Sequence, residues 1–288
     1  MVLFIVGFLL DNSFPAVEGI FLNGLNWFSQ AGLNGVVGSG RLVVLYTEST
    51  VYLATGGTAL AVAVGVPCAI YMAEFADMRF RNFTKTSMEV LDGFPSIVIG
   101  LLGFALFVNP ISRYSFSGFL HTQAGQIFEG CDLYGWLILL IMSFPIVATI
   151  TEDALRAVPQ ELREASLGIG ATKWQTTKEV LLPSAMPRIL TAILLALAAA
   201  MGEMVALYFV LNGSISSSLL TSPLAIFNPL ARTSTLSIIM ETSYNASLDG
   251  AGPPGPGVYF LGFLLFAIVG IINVAVRVIL AKRTTTQE

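Results

Sequence analysis

The chain has 288 residues, 55% of them hydrophobic and only 11% charged, with a net charge of −4, whereas a soluble domain carries about 25% charged residues. That leaves too little polar surface to cover a water-soluble globule, and a small acidic excess excludes the basic face that a nucleic-acid partner requires. Two cysteines, Cys68 and Cys131, and one histidine, His121, are too few for a disulfide framework or a metal site.

The class that remains is all-α: a polytopic bundle of membrane helices, because about 20 apolar residues in a helix satisfy their own backbone where there is no water. In chain order, Met1–Leu10 is apolar but short for a crossing, and it lacks the basic flank and small-residue cleavage site of a signal peptide. It reads as the outer end of an incomplete first membrane helix coming up from the cytoplasm, with Asp11–Arg41 outside. Five full spans follow: Val51–Met72, Met88–Val108, Leu133–Ile150, Pro187–Leu211 and Val258–Leu280. Basic residues gather after the first of these (Arg79, Arg81, Lys85), after the third (Arg156, Arg163, Lys173, Lys178, Arg188) and after the last (Lys282, Arg283). The alternate connections hold Arg41, Arg113 and Arg232 singly. The positive-inside tendency then places the basic connections and the C-terminus in the cytoplasm, and Gly213–Gly257 outside. The run Asp249–Gly257 is rich in glycine and proline and cannot continue a helix.

The organisation expected is residues 1–41 as incomplete helix plus extracytoplasmic segment, 42–280 as a transmembrane domain with a cytoplasmic loop at 151–186, and 281–288 as a cytoplasmic tail. Cys68 falls near the cytoplasmic end of its helix, where a free thiol packs as small apolar filler. Cys131 and His121 fall in an outer connection, so no bridge joins the cysteines.

The loop Thr151–Met186 has helical order of its own. Pro159 opens a helix, with Glu161 and Glu164 near the positive end of its dipole. Gly168 and Gly170 close that helix about three turns later, and a second amphipathic stretch runs from Thr172 to Pro183. A connection of this length with its own helices is usually functional, and it suits a knob for a soluble partner.

Glu164-Ala165-Ser166, Gly170 after three more residues, and Val180 and Leu182-Pro183 after a further nine resemble the EAA loop of ATP-binding-cassette importer permeases. Ser166 stands where that pattern has Ala, and Val180 where it has Ile. The stretches Ile150–Pro159, Ala69–Asp77 and Leu91–Phe104 are similar to phosphate-importer permeases. Gly202–Leu207 followed by Asn212-Gly213, with Arg232-Thr233 and Glu241, is closer to the PstC-type subunit than to the PstA-type. The resemblance, which runs from about Thr50 to Ile279, implies a type I importer permease fold in the plasma membrane. It also implies a second, PstA-type permease, two ATPase subunits that bind the ATP, and an external phosphate-binding protein. Glu161, Glu164, Ala165, Gly168 and Gly170 would couple the chain to the ATPase. One departure stands out: relatives carry Arg four residues before the membrane Glu, and this chain has Ala199.

Ionisable groups at membrane depth cost roughly 2.5–3.5 kcal/mol on insertion scales and mark candidate sites; Asp92 and Glu203 qualify. A bare carboxylate repels an anion where water is scarce, so Glu203 reads as a gate paired with a base from the partner subunit. Anion contact better suits Ser96, Thr55 and Thr58, hydroxyls beside Pro95 and Gly56-Gly57. No Gly-rich loop with Lys is present, so the chain is a transport subunit without a cofactor of its own and not an ATPase. The rivals are a permease for molybdate, tungstate or sulfate, an intramembrane enzyme, for which no nucleophile and base are paired, and a passive channel, for which the EAA-like loop would have no use.

Overall fold

A computed structural model describes residues 2–23, 40–108, 131–211, 228–246 and 255–284, and among these every regular element is a helix. They are α1 (Val2–Asn23), α2 (Gly40–Ile70), α3 (Met78–Asp92), α4 (Ser96–Gly103), α5 (Asp132–Arg156), α6 (Gln160–Gly168), α7 (Lys173–Thr176), α8 (Leu182–Gly202), α9 (Val205–Leu211), α10 (Leu236–Ala246) and α11 (Pro256–Thr284). Three wider i→i+5 turns extend α2, α4 and α7, at Tyr71–Phe75, Phe104–Val108 and Thr177–Leu181. Among the described residues four runs are long and apolar enough to cross a membrane, Val43–Phe75, Asp132–Arg156, Lys173–Gly202 and Pro256–Val274, and a fifth is made if Met78–Asp92 and Ser96–Val108, bent by 93°, form one broken span.

Several expected boundaries move. Met88–Val108 is not one helix: α3 stops at Asp92 and α4 starts at Ser96, because Pro95 cannot donate to the ladder and restrains the residue before it. Asp92, expected one turn inside its helix, is therefore the last residue of α3. Pro187–Leu211 also breaks, between Gly202 and Val205. Met1–Leu10 is the front of the 22-residue α1, so the segment expected outside from Asp11 begins inside a helix. Its polar groups bond back to the helix instead of ending it, Asn12 Nδ2 to the Phe8 carbonyl at 2.8 Å and Ser13 Oγ to that of Leu10 at 3.2 Å.

The stretch from Thr172 does not stop at Pro183 but runs on as one 30-residue helix, Lys173–Gly202. The i→i+5 turn just before Pro183, closed by the Leu182 N–H on the Thr177 carbonyl, absorbs the bond that proline cannot make. With α5 reaching Arg156, the connection expected over 151–186 shrinks to residues 157–172. His121, Arg113 and residues 213–227 and 247–254 lie outside the described residues.

The chain divides into two compact units. The first comprises Met1–Leu53, Ser96–Gly135 and Met201–Ile271. Its core includes Val43, Tyr46, Leu236, Ile239, Val258 and Leu261. α4 meets α9 so closely at Gly100 that a Cβ there would lie 2.8 Å from the Ala206 Cα, the small-residue contact that lets membrane helices pack without a hydrophobic drive between them. The start of α5 is tied to the approach of α10: the Asp132 and Leu133 N–H groups donate to the carbonyls of Ala231 (3.0 Å) and Pro229 (2.8 Å). In return Asp132 Oδ1 accepts from the N–H (3.1 Å) and hydroxyl (2.5 Å) of Thr233. Thr50 Oγ1 accepts the Leu236 N–H at 2.9 Å, satisfying a first-turn donor of α10.

The second unit comprises Ala54–Pro95, Trp136–Ala200 and Ile272–Glu288. Ala61, Val147 and Ala196 form one buried cluster, Met72, Met88 and Ala148 another that the half-buried Cys68 packs against. Gly56 and Gly57 face Trp136 and Leu139, bringing α2 close to α5. A third cluster, Ala154, Leu155, Val158, Leu181, Ala185 and Ile189, joins the end of α5 to the run entering α8. Burying Leu155 and Leu181 fully contributes about 1.5–3 kcal/mol each where the alternative is water.

Candidate functional site

α6 stands on a base that its own sequence does not reveal. Arg163 forms an ion pair with Glu74 and donates a second bond, of 2.7 Å, to the Leu155 carbonyl. The two charged side chains are only 16% and 6% exposed, so a protein partner replaces the water each has lost. Beside them Lys85 Nζ reaches Asp153 Oδ1 at 2.8 Å and Glu152 Oε2 at 3.1 Å. These bonds hold the ammonium pKa above its ordinary value, Asp153 first, against an opposing effect of burial. Glu152, 2% exposed, also accepts from Arg156 at 3.4 Å.

The ends of α6 follow from local chemistry. Pro159 sits in extended conformation at its entry, where its missing N–H is no loss. At the exit the Ala171 N–H bonds the Ser166 carbonyl (3.2 Å) and the Gly170 N–H that of Leu167 (3.0 Å), the paired bonds of a Schellman motif. Gly170 has φ +90°, a backbone that a Cβ would strain. Gly170 alone ends the helix. Gly168, expected to share that role, is the last helical residue, and a Cβ on it would meet nothing. α6 is accordingly nine residues, shorter than three turns. Thr172 then caps α7 reciprocally with Gln175, through bonds of 3.3 and 2.8 Å. Ser166, the departure from Ala in the EAA-like pattern, is buried with its hydroxyl 2.9 Å from that of Thr176, fastening α6 to α7. Phe75 packs on Trp174, and Lys173 lies 5.3 Å over the Phe75 ring.

What remains outward is the tip. Glu161, Leu162, Glu164, Ala165, Leu167 and Gly168 are exposed, and Ile169 is 88% exposed. Apolar side chains flanked by two carboxylates thus face outward on a short helix held by the buried Arg163–Glu74 pair.

The other candidate residues fall in both units. Thr55, Thr58 and Asp92 belong to the second unit, Ser96 and Glu203 to the first. Thr55 is exposed and Thr58 buried, and Ser96 is half-buried at the start of α4. Asp92 borders a cavity of about 390 Å³ together with Glu89, Thr149, Leu195 and Ala199. Glu203, expected mid-helix, lies in the break between α8 and α9 and accepts the Ala206 N–H at 3.0 Å. It caps α9. Sequence reasoning missed Glu74, Lys85, Glu152 and Arg163 as a frame; their one visible signal is opposite charge in connections otherwise counted only for lysine and arginine.

The family model for the binding-protein-dependent transport system inner membrane component matches residues 65–286. The chain is 34% identical to the probable ABC transporter permease protein YqgI of Bacillus subtilis strain 168 over 229 residues, 76% of this chain and 70% of that protein. It is 29% identical to the phosphate transport system permease protein PstC of Mesorhizobium japonicum over 255 residues, 84% and 74% of the two. In fold it is similar to a chain of the MetNI methionine ABC transporter in an inward facing conformation, with a TM-score of 0.59 at 18% identity, covering 84% of this chain and 96% of that one.

Proposed function

This chain belongs to the family of binding-protein-dependent transport system inner membrane components, and from that premise we propose that it is the PstC-type permease of an importer for inorganic phosphate. It is a transport subunit of the ATP-binding-cassette class and not itself an enzyme. On our reading a PstA-type permease pairs with it, two ATPase subunits bind and hydrolyse ATP, and an external binding protein delivers phosphate. The chain sits in the plasma membrane with the α6 tip and the C-terminus in the cytoplasm.

The observation that carries this reading is the tip itself. Glu161, Glu164, Ala165 and Gly168 lie on a short, outward helix that Gly170 closes, and Ile169 is almost wholly exposed between the two glycines. In this reading they seat in an ATPase cleft. Motion of the cleft passes through Arg163 to Glu74 at the end of α2, and through Ser166 to Thr176 at the start of the run that becomes α8. A two-ended tie of this kind converts displacement of one short helix into alternating access.

Phosphate as cargo is supported by the likeness to PstC proteins. Ala199, where the resembling permeases carry Arg, favours another oxyanion instead, and it borders the same cavity as Asp92. Both readings meet in one assay: ATP-driven uptake into proteoliposomes holding the chain with its second permease, ATPase and binding protein. Phosphate uptake that excess molybdate, tungstate and sulfate leave unchanged supports phosphate. Uptake of one of those anions with no phosphate transport replaces it. Glu203 is proposed as a gate whose charge is answered by a base of the second permease, while its other oxygen holds the α8–α9 break.

A further inference from the structure

The helix that follows the first long span has one face left largely exposed by the described residues, with Phe80 at its margin set edge-on to Tyr71. The run Val43–Phe75 has 33 residues, about 50 Å at 1.5 Å per residue. That exceeds the hydrocarbon thickness of about 30 Å, and Glu74 in its last turn with Asp77 and Arg79 just beyond puts that end outside the apolar layer. The chain then turns through extended Ala76 and Asp77, and α3 begins at Met78. α3 therefore starts at the boundary between lipid and water, on whichever side that boundary lies.

Arg79, Phe83, Thr86 and Val90 recur at i, i+4, i+7 and i+11, one stripe of the helix, and all four are exposed or half-exposed. Phe83 is 73% exposed, and Met78 and Phe80 are exposed beside it. The opposite face is occupied: Met88 is buried against Met72 and Ala148, and Lys85 is bound to Glu152 and Asp153. Arg79 and Arg81 have no carboxylate partner among the described residues; Arg81 rests on the Met78 sulfur at 3.2 Å. The nearest acid in sequence, Asp77, accepts the Phe80 N–H at 3.3 Å. Large aromatic groups and guanidinium groups without a carboxylate on the first two turns are the composition of a helix lying in the headgroup layer.

We propose that the exposed face of α3 from Met78 to Phe83 is a lipid-anchoring surface, with Arg79 taking the phosphate of an anionic phospholipid and Phe80 and Phe83 sunk among the upper acyl carbons. Charge complementarity selects this occupant over a neutral protein face, since a basic side chain near an anionic leaflet is attracted within a Debye length. The proposal rests on the membrane-spanning reading of the chain and not on its cargo, so lipid capture and phosphate transport fail separately.

The test reconstitutes the full chain in nanodiscs of phosphatidylcholine with phosphatidylglycerol and counts retained phosphatidylglycerol by native mass spectrometry. Arg79→Gln should lower the retained anionic lipid about five-fold, Arg79→Lys should restore most of it, and Phe83→Ala should lower retention of both lipids. A photo-crosslinking residue at position 83, in native membranes, should label lipid. Unchanged phosphatidylglycerol in Arg79→Gln overturns the proposal. So does loss of it in Arg79→Lys, which keeps the charge, or a crosslink from position 83 to the second permease subunit.

Discussion

The two units solve the same problem, securing the ends of helices, with different chemistry. In the second unit, long charged side chains reach across elements: Arg163 to Glu74, and Lys85 to Glu152 and Asp153. In the first, short groups do it: the Asp132 carboxylate and Thr233, and the Thr50 hydroxyl on the Leu236 N–H. A long ion pair tolerates some movement of its backbones, whereas a carboxylate clasped by an N–H and a hydroxyl within two bonds of the main chain does not. The difference teaches that compliance is placed beside the exposed tip, and stiffness at the junction of α5 with α10.

The comparison breaks most severely at Arg163. Arg163→Met leaves Glu74 buried and unpaired, and breaking a buried pair costs about 3–5 kcal/mol. A steep fall in thermal stability in detergent is expected, with most of it regained in the double variant Glu74→Gln/Arg163→Met. No regain would mean that the bond to the Leu155 carbonyl, not the ion pair, holds α6. Next, Thr233→Val removes the hydroxyl that faces buried Asp132. A bond to a charged group is worth about 1.5–3 kcal/mol, and the loss should appear as reduced hydrogen-exchange protection at the start of α5 with α6 unaffected.

The glycines sharpen the contrast within the tip. Gly170→Ala, at φ +90°, should cost about 1–2 kcal/mol and weaken ATPase stimulation. Gly168→Ala should be neutral or stabilising by about 0.5–1 kcal/mol, because its Cβ meets nothing in this chain. Gly168→Trp should then leave thermal stability intact and abolish ATPase stimulation; stimulation at the native level would remove the docking role from this face. Glu203→Gln is expected to change stability least, since the amide oxygen can still accept the Ala206 N–H. Phosphate uptake should nevertheless fall steeply if the charge is the gate. Uptake near the native rate reduces Glu203 to a helix cap.

Local chemistry was readable in the sequence and tertiary pairing was not. Pro159, Gly170 and Thr172 announce the ends of short helices because each acts within a few residues of itself. The breaks at Gly93–Pro95 and at Glu203-Met204 were hidden because hydropathy sums across them: apolar residues on both sides read as one span. Arg163 was legible as positive charge, but Glu74 lies 89 residues away. Thr233 is 101 residues from Asp132. Nothing in either neighbourhood names its partner. The expectation that Gly168 and Gly170 act together failed for a related reason. Composition gives two glycines, and only backbone geometry shows that one of them bears the left-handed turn.

The wide turn at Tyr71–Phe75, closed by the Ala76 N–H on the Tyr71 carbonyl at 2.9 Å, sets a phase. It houses one residue more than an ordinary helical turn while completing the same single rotation. Shortening the chain by one residue upstream of Glu74 would leave a regular ladder behind, and hydropathy would hardly register the change. Glu74, Phe75 and the start of α3 would then keep nearly their present phase, because the wide turn and the ordinary turn that replaces it both complete one rotation. The wide turn thus holds one residue of slack at constant angle, and loss of a single residue in this stretch should be tolerated where loss of two should not.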